Sequence, residues 1–141
     1  MQKRVGLFLG ILQVFVAVGA IPAGLSMIFE PDGSGLGLSS KVLVGSPFQD
    51  FFIPGLFLFF VNGLLNALGA VFSIKRKKYA GIFGLVLGII LLLWICIQVY
   101  FIGLTHFLQP LFFAVGVVEL ILSYIYIRKE IQQDKGQLEK P

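Results

Sequence analysis

The chain has 141 residues, of which 57% are hydrophobic and only 13% are charged, and its mean hydropathy is +0.95. This balance excludes an ordinary soluble domain. The formal net charge of +4 would favour nucleic acid as the partner of a soluble protein, but the basic residues stand at the ends of apolar runs, so we expect no nucleic-acid binding. The single cysteine, Cys96, excludes an intrachain disulfide and a cysteine-based metal site.

Four apolar segments are each long enough to cross about 30 Å of hydrocarbon as a helix. They cover approximately residues 5–29, 51–74, 79–102 and 107–127. Because a backbone in lipid must satisfy its own hydrogen bonds, helices are the expected form. The sequence therefore predicts an all-α integral membrane four-helix bundle, in a single domain over residues 1–129. The polar stretch 130–141 is predicted to be a cytoplasmic tail that frays.

Two prolines, Pro22 and Pro54, lie inside the first and second predicted spans. Each is predicted to kink its helix, because proline removes a backbone hydrogen bond. Small residues also recur four positions apart, as Ala20 and Gly24 do, and this spacing lets helices approach closely in lipid. We interpret the spacing as internal packing of the bundle, with dimerisation as the alternative.

The segment between the first two spans, residues 30–50, has turn-forming ends and an apolar middle. Asp32 is expected to accept a hydrogen bond from its own backbone. At the other end, Ser46 is a candidate N-cap of the second helix, with Pro47 at the first helical position and Gln49 completing a capping box. Because the middle is too apolar for a freely solvated loop, we predict a structured outer loop that folds over the end of the bundle.

Ten of the eleven lysines and arginines fall on one side of the predicted bundle. They are Lys3, Arg4, Lys75, Arg76, Lys77, Lys78, Arg128, Lys129, Lys135 and Lys140. The positive-inside rule makes this side cytoplasmic, so both termini are predicted to be cytoplasmic, in a multi-pass protein of a bacterial inner membrane. Binding of anionic lipid or of an acidic partner by these residues is the alternative interpretation.

Glu119 is an acidic residue roughly 13 Å inside the fourth span, where an unpaired carboxylate costs at least about 2.5 kcal/mol. Gln13 and Asn66 fall in nearly the same layer, and Asn62 lies one turn further along. We predict that these four residues form a buried polar cluster inside the bundle. The cluster either holds the helices together or serves as a proton-binding or substrate site.

A second group of polar and aromatic residues marks the outer half of the bundle. We predict a ligand-binding or partner-binding site there, made by Asp32, Ser46, Asp50, Trp94, Gln98, His106 and Gln109. A lone histidine is too little for a metal, so we expect no metal site. No catalytic motif is present either, so no catalytic residue is assigned and an enzyme is not favoured.

Three runs of residues carry a resemblance to a known group of proteins. They are Pro31-Asp32-Gly33 through Gly37-Leu38-Ser39, Ser46 through Gly55, and Trp94, Gln98, Ile102-Gly103 and Phe107 through Pro110. The runs resemble a group of small, functionally uncharacterised bacterial four-span integral membrane proteins. The resemblance implies four spans and a functional location at the outer loop, and it implies no activity. DoxX-like proteins, some associated with quinone-linked oxidation, are similar only in architecture.

Three functional hypotheses follow from these patterns. The first is a non-enzymatic membrane protein that binds a lipid-soluble ligand or a membrane-protein partner under its outer loop. The second is a small proton-coupled transporter that uses Glu119, and the third is an accessory subunit of a membrane redox enzyme. The expected partners are the lipid bilayer, a lipid or quinone-like ligand, and a second membrane protein or another copy of the chain. The sequence does not identify a cofactor.

Overall fold

The computed structural model describes residues 2–141, and four of its helices are long and apolar enough to cross a membrane. Helix α1 is Gln2–Phe29, α2 is Phe52–Ile74, α3 is Ala80–Ile102 and α4 is Leu108–Leu138. Residues 2–141 contain no β-strand. The predicted all-α architecture with four membrane-length helices is therefore confirmed.

The four helices form a ring in which consecutive helices are neighbours. Helix α1 packs along α2 and also contacts α4, while α3 contacts α2 and α4. One end of the bundle carries the 75–79 link and is called the basic end here. The opposite end carries residues 30–51 and the 103–107 link and is called the loop end.

Large apolar side chains point away from the bundle along its whole length. Phe8, Val18, Leu93 and Ile121 are each more than half exposed, with values of 58%, 66%, 57% and 54%. Exposed apolar surface on this scale is unfavourable in water, whereas hydrocarbon tails cover it at no cost. The outer surface therefore fits a lipid environment.

Glycines allow α1 and α2 to pack closely near the loop end. A methyl group added at Gly24 would lie 2.6 Å from the backbone nitrogen of Phe59, and one at Gly55 would lie 2.6 Å from Cβ of Met27. Both distances are shorter than a van der Waals contact. Here small residues serve packing within the bundle.

Helix α2 changes its hydrogen-bonding pattern over Leu58–Leu64, which is π-helical. The backbone N–H of Leu65 donates to the carbonyl of Phe60, five residues earlier. Pro54 precedes this stretch and lies in the first turn of α2, where its missing N–H would have no helical partner. Contrary to the prediction, Pro54 therefore removes no hydrogen bond from α2, and the irregular stretch begins four residues after it.

Residues 30–51 contain two short 3₁₀ turns, Ser34–Leu36 and Ser40–Leu43. Leu43 and Phe51 are buried against Met27 of α1. The backbone N–H of Phe51 donates to the carbonyl of Pro31 over 2.8 Å, so the two ends of the segment lie side by side.

Two predicted helix boundaries need correction. Helix α2 begins at Phe52, so Ser46 is not its N-cap; Asp50 instead accepts a hydrogen bond from the N–H of Phe52 over 2.9 Å. The polar stretch after Arg128 was predicted to fray, but α4 continues through it to Leu138. Glutamate, glutamine, lysine and isoleucine in that stretch tolerate a helix well, and they outweigh the single Gly136.

Candidate functional site

Six polar side chains from three helices lie in the interior of the bundle and form what we call the polar core. Each is at most 1% exposed: Gln13, Asn62, Asn66, Ser73, Glu119 and Ser123. All four residues of the predicted buried cluster belong to it. Three of them share one layer. Gln13, Asn66 and Glu119 each lie nine residues from the nearest basic residue of their chain segment at the basic end, which is Arg4, Lys75 and Arg128 respectively.

Gln13 connects α1 to α2 through its side chain. In a helix, side chains lean toward the N-terminus, which for α1 is the basic end. The Gln13 carbonyl oxygen consequently reaches Ser73, whose hydroxyl donates a hydrogen bond to it over 2.8 Å. Its amide nitrogen, Nε2, has no hydrogen-bond partner within the described chain.

Glu119 faces the interior from α4 and is 0% exposed. The Gln13 amide is the polar group nearest its carboxyl, but it does not reach hydrogen-bonding geometry. Neither carboxyl oxygen has a hydrogen-bond partner that meets ordinary geometric limits among residues 2–141. Ser123, one turn further along α4 on the same face, also has an unpartnered hydroxyl in that range.

Two glycines make room for these side chains. A methyl group added at Gly84 of α3 would lie 2.6 Å from the Ser123 hydroxyl oxygen and 3.2 Å from Gln13 Nε2. One added at Gly69 of α2 would lie 3.0 Å from the same nitrogen. The Gln13 amide thus sits between α2 and α3 and close to α4, so all four helices meet at this point.

Asn62 and Asn66 extend the polar core toward the loop end along one face of α2. The Asn66 amide donates to the backbone carbonyl of Asn62 over 3.0 Å. The Asn66 carbonyl oxygen and both polar atoms of Asn62 have no partner in the described part of the chain. Asn62 also lies in the π-helical stretch, and such stretches occur frequently at functional sites.

Trp94 of α3 lies nearer the loop end and is 9% exposed. Its ring stacks on Phe57 of α2, with 4.8 Å between centroids, and it packs in an apolar cluster with Val16 and Leu91. The indole N–H has no acceptor among the described residues. Trp94 therefore faces the interior of the bundle, unlike a residue that anchors a helix at the membrane surface.

The basic end of the polar core is closed by packed side chains. Tyr126 is 0% exposed, and its hydroxyl donates to the backbone carbonyl of Lys77 over 3.3 Å. Its ring lies against Gly6 and Gly81. A methyl group added at Gly6 would lie 3.3 Å from the ring, and one added at Gly81 would lie 2.9 Å from it. A larger side chain at Gly81 would crowd the tyrosine ring, and one at Gly6 would first meet the Ser73 carbonyl oxygen, at 2.6 Å.

Ser73, Ser123 and Tyr126 belong to this region, although no sequence pattern selected them. Helical spacing could have found two of them: Ser73 is seven residues after Asn66, and Ser123 is four after Glu119, so each shares a face with a predicted member. Serine and tyrosine are common on any helix face, however, and spacing alone gives no reason to select them.

Three of the predicted loop-end residues make hydrogen bonds within their own turns. Asp32, Ser46 and Asp50 each accept a hydrogen bond from a backbone N–H two residues later, at 3.0, 3.2 and 2.9 Å. Asp32 also accepts from the Ser34 hydroxyl at 2.7 Å. The two Ser34 donors hold the pKa of Asp32 below its usual value of 3.8. These polar groups shape their own turns.

Gln109 organises the link between α3 and α4. Its carbonyl oxygen accepts from the N–H groups of Thr105 and His106 at 2.9 and 3.2 Å, and its amide donates to the carbonyl of Gly103 at 3.2 Å. His106 is exposed and accepts from the N–H of Leu108 through Nδ1. Gln98, the remaining predicted residue, is partly exposed on α3.

An apolar groove of about 500 Å³ opens between α3 and α4 near the loop end. It is lined by Ile95, Cys96, Val99, Tyr100, Leu104, Gln109, Pro110 and Phe113. Cys96 is exposed there. The groove is distinct from the space beneath the 30–51 segment, where Met27, Leu43 and Phe51 pack together.

The polar core has the composition of a site for a proton, water or a small polar species. No group of three or more potential metal-binding side chains occurs in the described residues. A buried polar group without a hydrogen bond costs about 1–3 kcal/mol. When only residues 2–141 are counted as partners, the polar core and Trp94 contain eight such atoms. These unpartnered atoms are therefore the main structural indication of a binding site in the described residues.

No family model, curated protein or solved structure matches this chain. The resemblance to small bacterial four-span proteins therefore stays a prediction based on three runs of residues.

Proposed function

We propose that the protein is a small membrane transporter that carries protons, in which Glu119 takes up and releases a proton inside the bundle. The observation that carries the proposal is the complete burial of Glu119 with both carboxyl oxygens unpartnered within residues 2–141. Ionised carboxylates are rare at such depth, and intramembrane acids commonly belong to ion or proton pathways.

The surroundings of Glu119 suit a carboxyl group that changes its protonation state. Binding a proton removes the charge that would otherwise be isolated between four apolar helices. The Gln13 amide can donate to the ionised form, and the neutral form carries an O–H donor of its own. No lysine or arginine of the described chain hydrogen-bonds to Glu119, so the proton itself is the available counter-charge.

Proton flux across reconstituted vesicles tests the proposal. Purified protein is placed in liposomes that enclose a pH-sensitive dye, and a potassium gradient with valinomycin drives protons inward. We expect flux above that of empty liposomes for the native chain and flux equal to empty liposomes for Glu119→Gln.

The matched control is Glu139→Gln, which makes the same chemical change on an exposed residue just after α4. It should retain the native flux. Equal flux through the native chain and the Glu119→Gln variant would overturn the proposal, provided that both proteins give the same helical circular dichroism.

A second candidate function is binding of a lipid-soluble ligand, favoured by the apolar groove between α3 and α4. A volume of about 500 Å³ lies in the range of small-molecule sites, and an apolar lining suits a hydrocarbon chain. Cys96, the single cysteine, provides a probe within the groove. A bound ligand should protect Cys96 from an apolar maleimide, and delipidation should remove this protection. Equal labelling of Cys96 before and after delipidation would exclude the ligand.

We also propose that the basic end faces the cytoplasm of a bacterial cell and that the 30–51 segment lies outside. Support comes from the charge bias, since ten of eleven lysines and arginines stand at the ends of helices or in the link at one end of the bundle. In this orientation the loop end of the polar core faces the outer surface.

A further inference from the structure

We infer that Ser73 of α2 is a positioning residue for the Glu119 proton and that it acts through the Gln13 amide of α1. Ser73 holds this amide so that its N–H donors face the Glu119 carboxyl group on α4. The inference rests on the proposed function, because it names the groups that orient the site of proton binding. It assigns a role to the Ser73 hydroxyl, which proton binding at Glu119 does not itself require.

Close packing of α1 against α2 brings Ser73 within reach of Gln13. Gly6, Gly10 and Gln13 lie on one face of α1, because they are spaced four and three residues apart. A methyl group added at Gly6 would lie 2.6 Å from the Ser73 carbonyl oxygen, and one added at Gly10 would lie 3.3 Å from the Ala70 carbonyl oxygen. The two backbones meet at this face, and there the Ser73 hydroxyl donates to the Gln13 carbonyl oxygen over 2.8 Å.

The bond from Ser73 determines which end of the Gln13 amide faces Glu119. Because the amide oxygen is directed at Ser73, the amide nitrogen is the end that faces the rest of the interior. This nitrogen would lie 3.0 Å from a methyl group added at Gly69 of α2 and 3.2 Å from one added at Gly84 of α3. It belongs to the polar group nearest the Glu119 carboxyl. The amide therefore presents its donors to the acid.

The reversed orientation of the amide is unfavourable. It would turn the Gln13 carbonyl oxygen toward Glu119, whose ionised form has only acceptors. Acceptors that face each other in a buried site repel, and the low dielectric of the interior strengthens the repulsion. Ser73 and Gln13 are both 0% exposed, so bulk water does not replace their hydrogen bond. Without the Ser73 hydroxyl, the amide loses the bond that favours its present orientation.

The oriented amide serves the charged form of Glu119, which is the form that remains after proton release. N–H donors stabilise a carboxylate more than a neutral carboxyl group. No lysine or arginine is buried among residues 2–141, so no cation shares this task in the interior. Tyr126 is the other buried titratable side chain in that range, and its hydroxyl is bonded to the Lys77 carbonyl.

The test is a double-mutant cycle on the infrared bands of Glu119 in lipid nanodiscs, assigned by their loss in Glu119→Gln. The carboxyl band is recorded at acidic pH and the carboxylate band at alkaline pH, so both protonation states are read. We expect Ser73→Ala to shift both bands in the native background and to cause no further shift in a Gln13→Met background. Ser26→Ala, the same change on α1 outside the polar core, should shift neither band.

Proton flux into liposomes gives a second readout. Ser73→Ala should lower the flux about tenfold, which is the lower end of what the loss of a hydrogen bond to a charged group costs. Ser73→Thr retains the hydroxyl donor and should restore at least about half of the native flux. Ser26→Ala should retain the native flux, and all variants are compared at equal helical circular dichroism.

Unshifted bands in Ser73→Ala would overturn the inference. A shift of the same size in the native and Gln13→Met backgrounds would also overturn it, because Ser73 would then not act through Gln13. Either result leaves the proposed function intact as long as Glu119→Gln abolishes the flux. Native flux in Glu119→Gln would instead overturn the proposed function, and the cycle would still report whether Ser73 orients Gln13 toward Glu119.

Discussion

At the scale of single residues, the polar side chains of the loop end and the Gln13 side chain of the polar core make different kinds of hydrogen bonds. Asp32, Ser46, Asp50, His106 and Gln109 bond to backbone within six residues of themselves. Gln13 instead bonds to a residue 60 positions away. The sequence marked both groups as candidate sites, because residue type and depth do not show which partner a side chain reaches.

Gln109 should therefore matter for folding. Replacing it with leucine leaves the Thr105 and His106 N–H groups and the Gly103 carbonyl without their present partner, and we expect a loss of about 1–3 kcal/mol of stability. Gln98→Leu is the matched control and should change stability by less than about 0.5 kcal/mol. Unfolding in mixed detergent micelles measures both, and an equal effect of the two substitutions would contradict the structural role of Gln109.

Asp32 should respond to acid. Its pKa lies below 3.8 because Ser34 donates two hydrogen bonds to the carboxylate, so the turn gains stability above pH 3.8. This stability is lost as the pH falls through the lowered pKa. The amide resonance of Ser34, followed by NMR in detergent, should move with an inflection below pH 3.8. Asp32→Asn should abolish this movement, and an inflection at or above 3.8 would contradict the bonding described here.

At the scale of helices, apolar run length predicted four spans, and each observed helix starts within three residues of its predicted start. Run length could not reveal the π-helical stretch of α2, because a π turn depends on the fit to neighbouring helices rather than on hydrophobicity. It also missed the continuation of α4 to Leu138, since a helix can continue in polar residues beyond the end of the apolar run.

Close packing of α1 against α2 makes Gly24 sensitive to a single methyl group. That methyl would lie 2.6 Å from the backbone nitrogen of Phe59, which cannot rotate away, so Gly24→Ala should destabilise the bundle by about 1–3 kcal/mol. Gly136→Ala is the control, because it meets nothing within 4 Å and removes a glycine from a helix, so it should stabilise by about 0.5–1 kcal/mol. Thermal unfolding compares the pair, and a neutral Gly24→Ala would contradict the packing.

At the scale of the whole molecule, a lipid-facing exterior surrounds a buried polar core, and ten of the eleven lysines and arginines stand at one end of the bundle. The orientation of this asymmetry in the membrane can be tested in a Cys96→Ser background. Cysteine replaces either Ser39 in the exposed loop or Lys140 at the exposed end of the chain. A membrane-impermeant maleimide should label the Ser39 site in intact cells and the Lys140 site only after permeabilisation. The reverse pattern would contradict the proposed orientation.

The central claim is that Glu119 holds an exchangeable proton inside the bundle. The most direct measurement is the infrared spectrum of the protein in lipid nanodiscs at neutral pH. We predict a protonated carboxyl band that disappears in Glu119→Gln and persists in Glu139→Gln. A native spectrum without that band, together with loss of an ionised carboxylate band in Glu119→Gln, would contradict the claim.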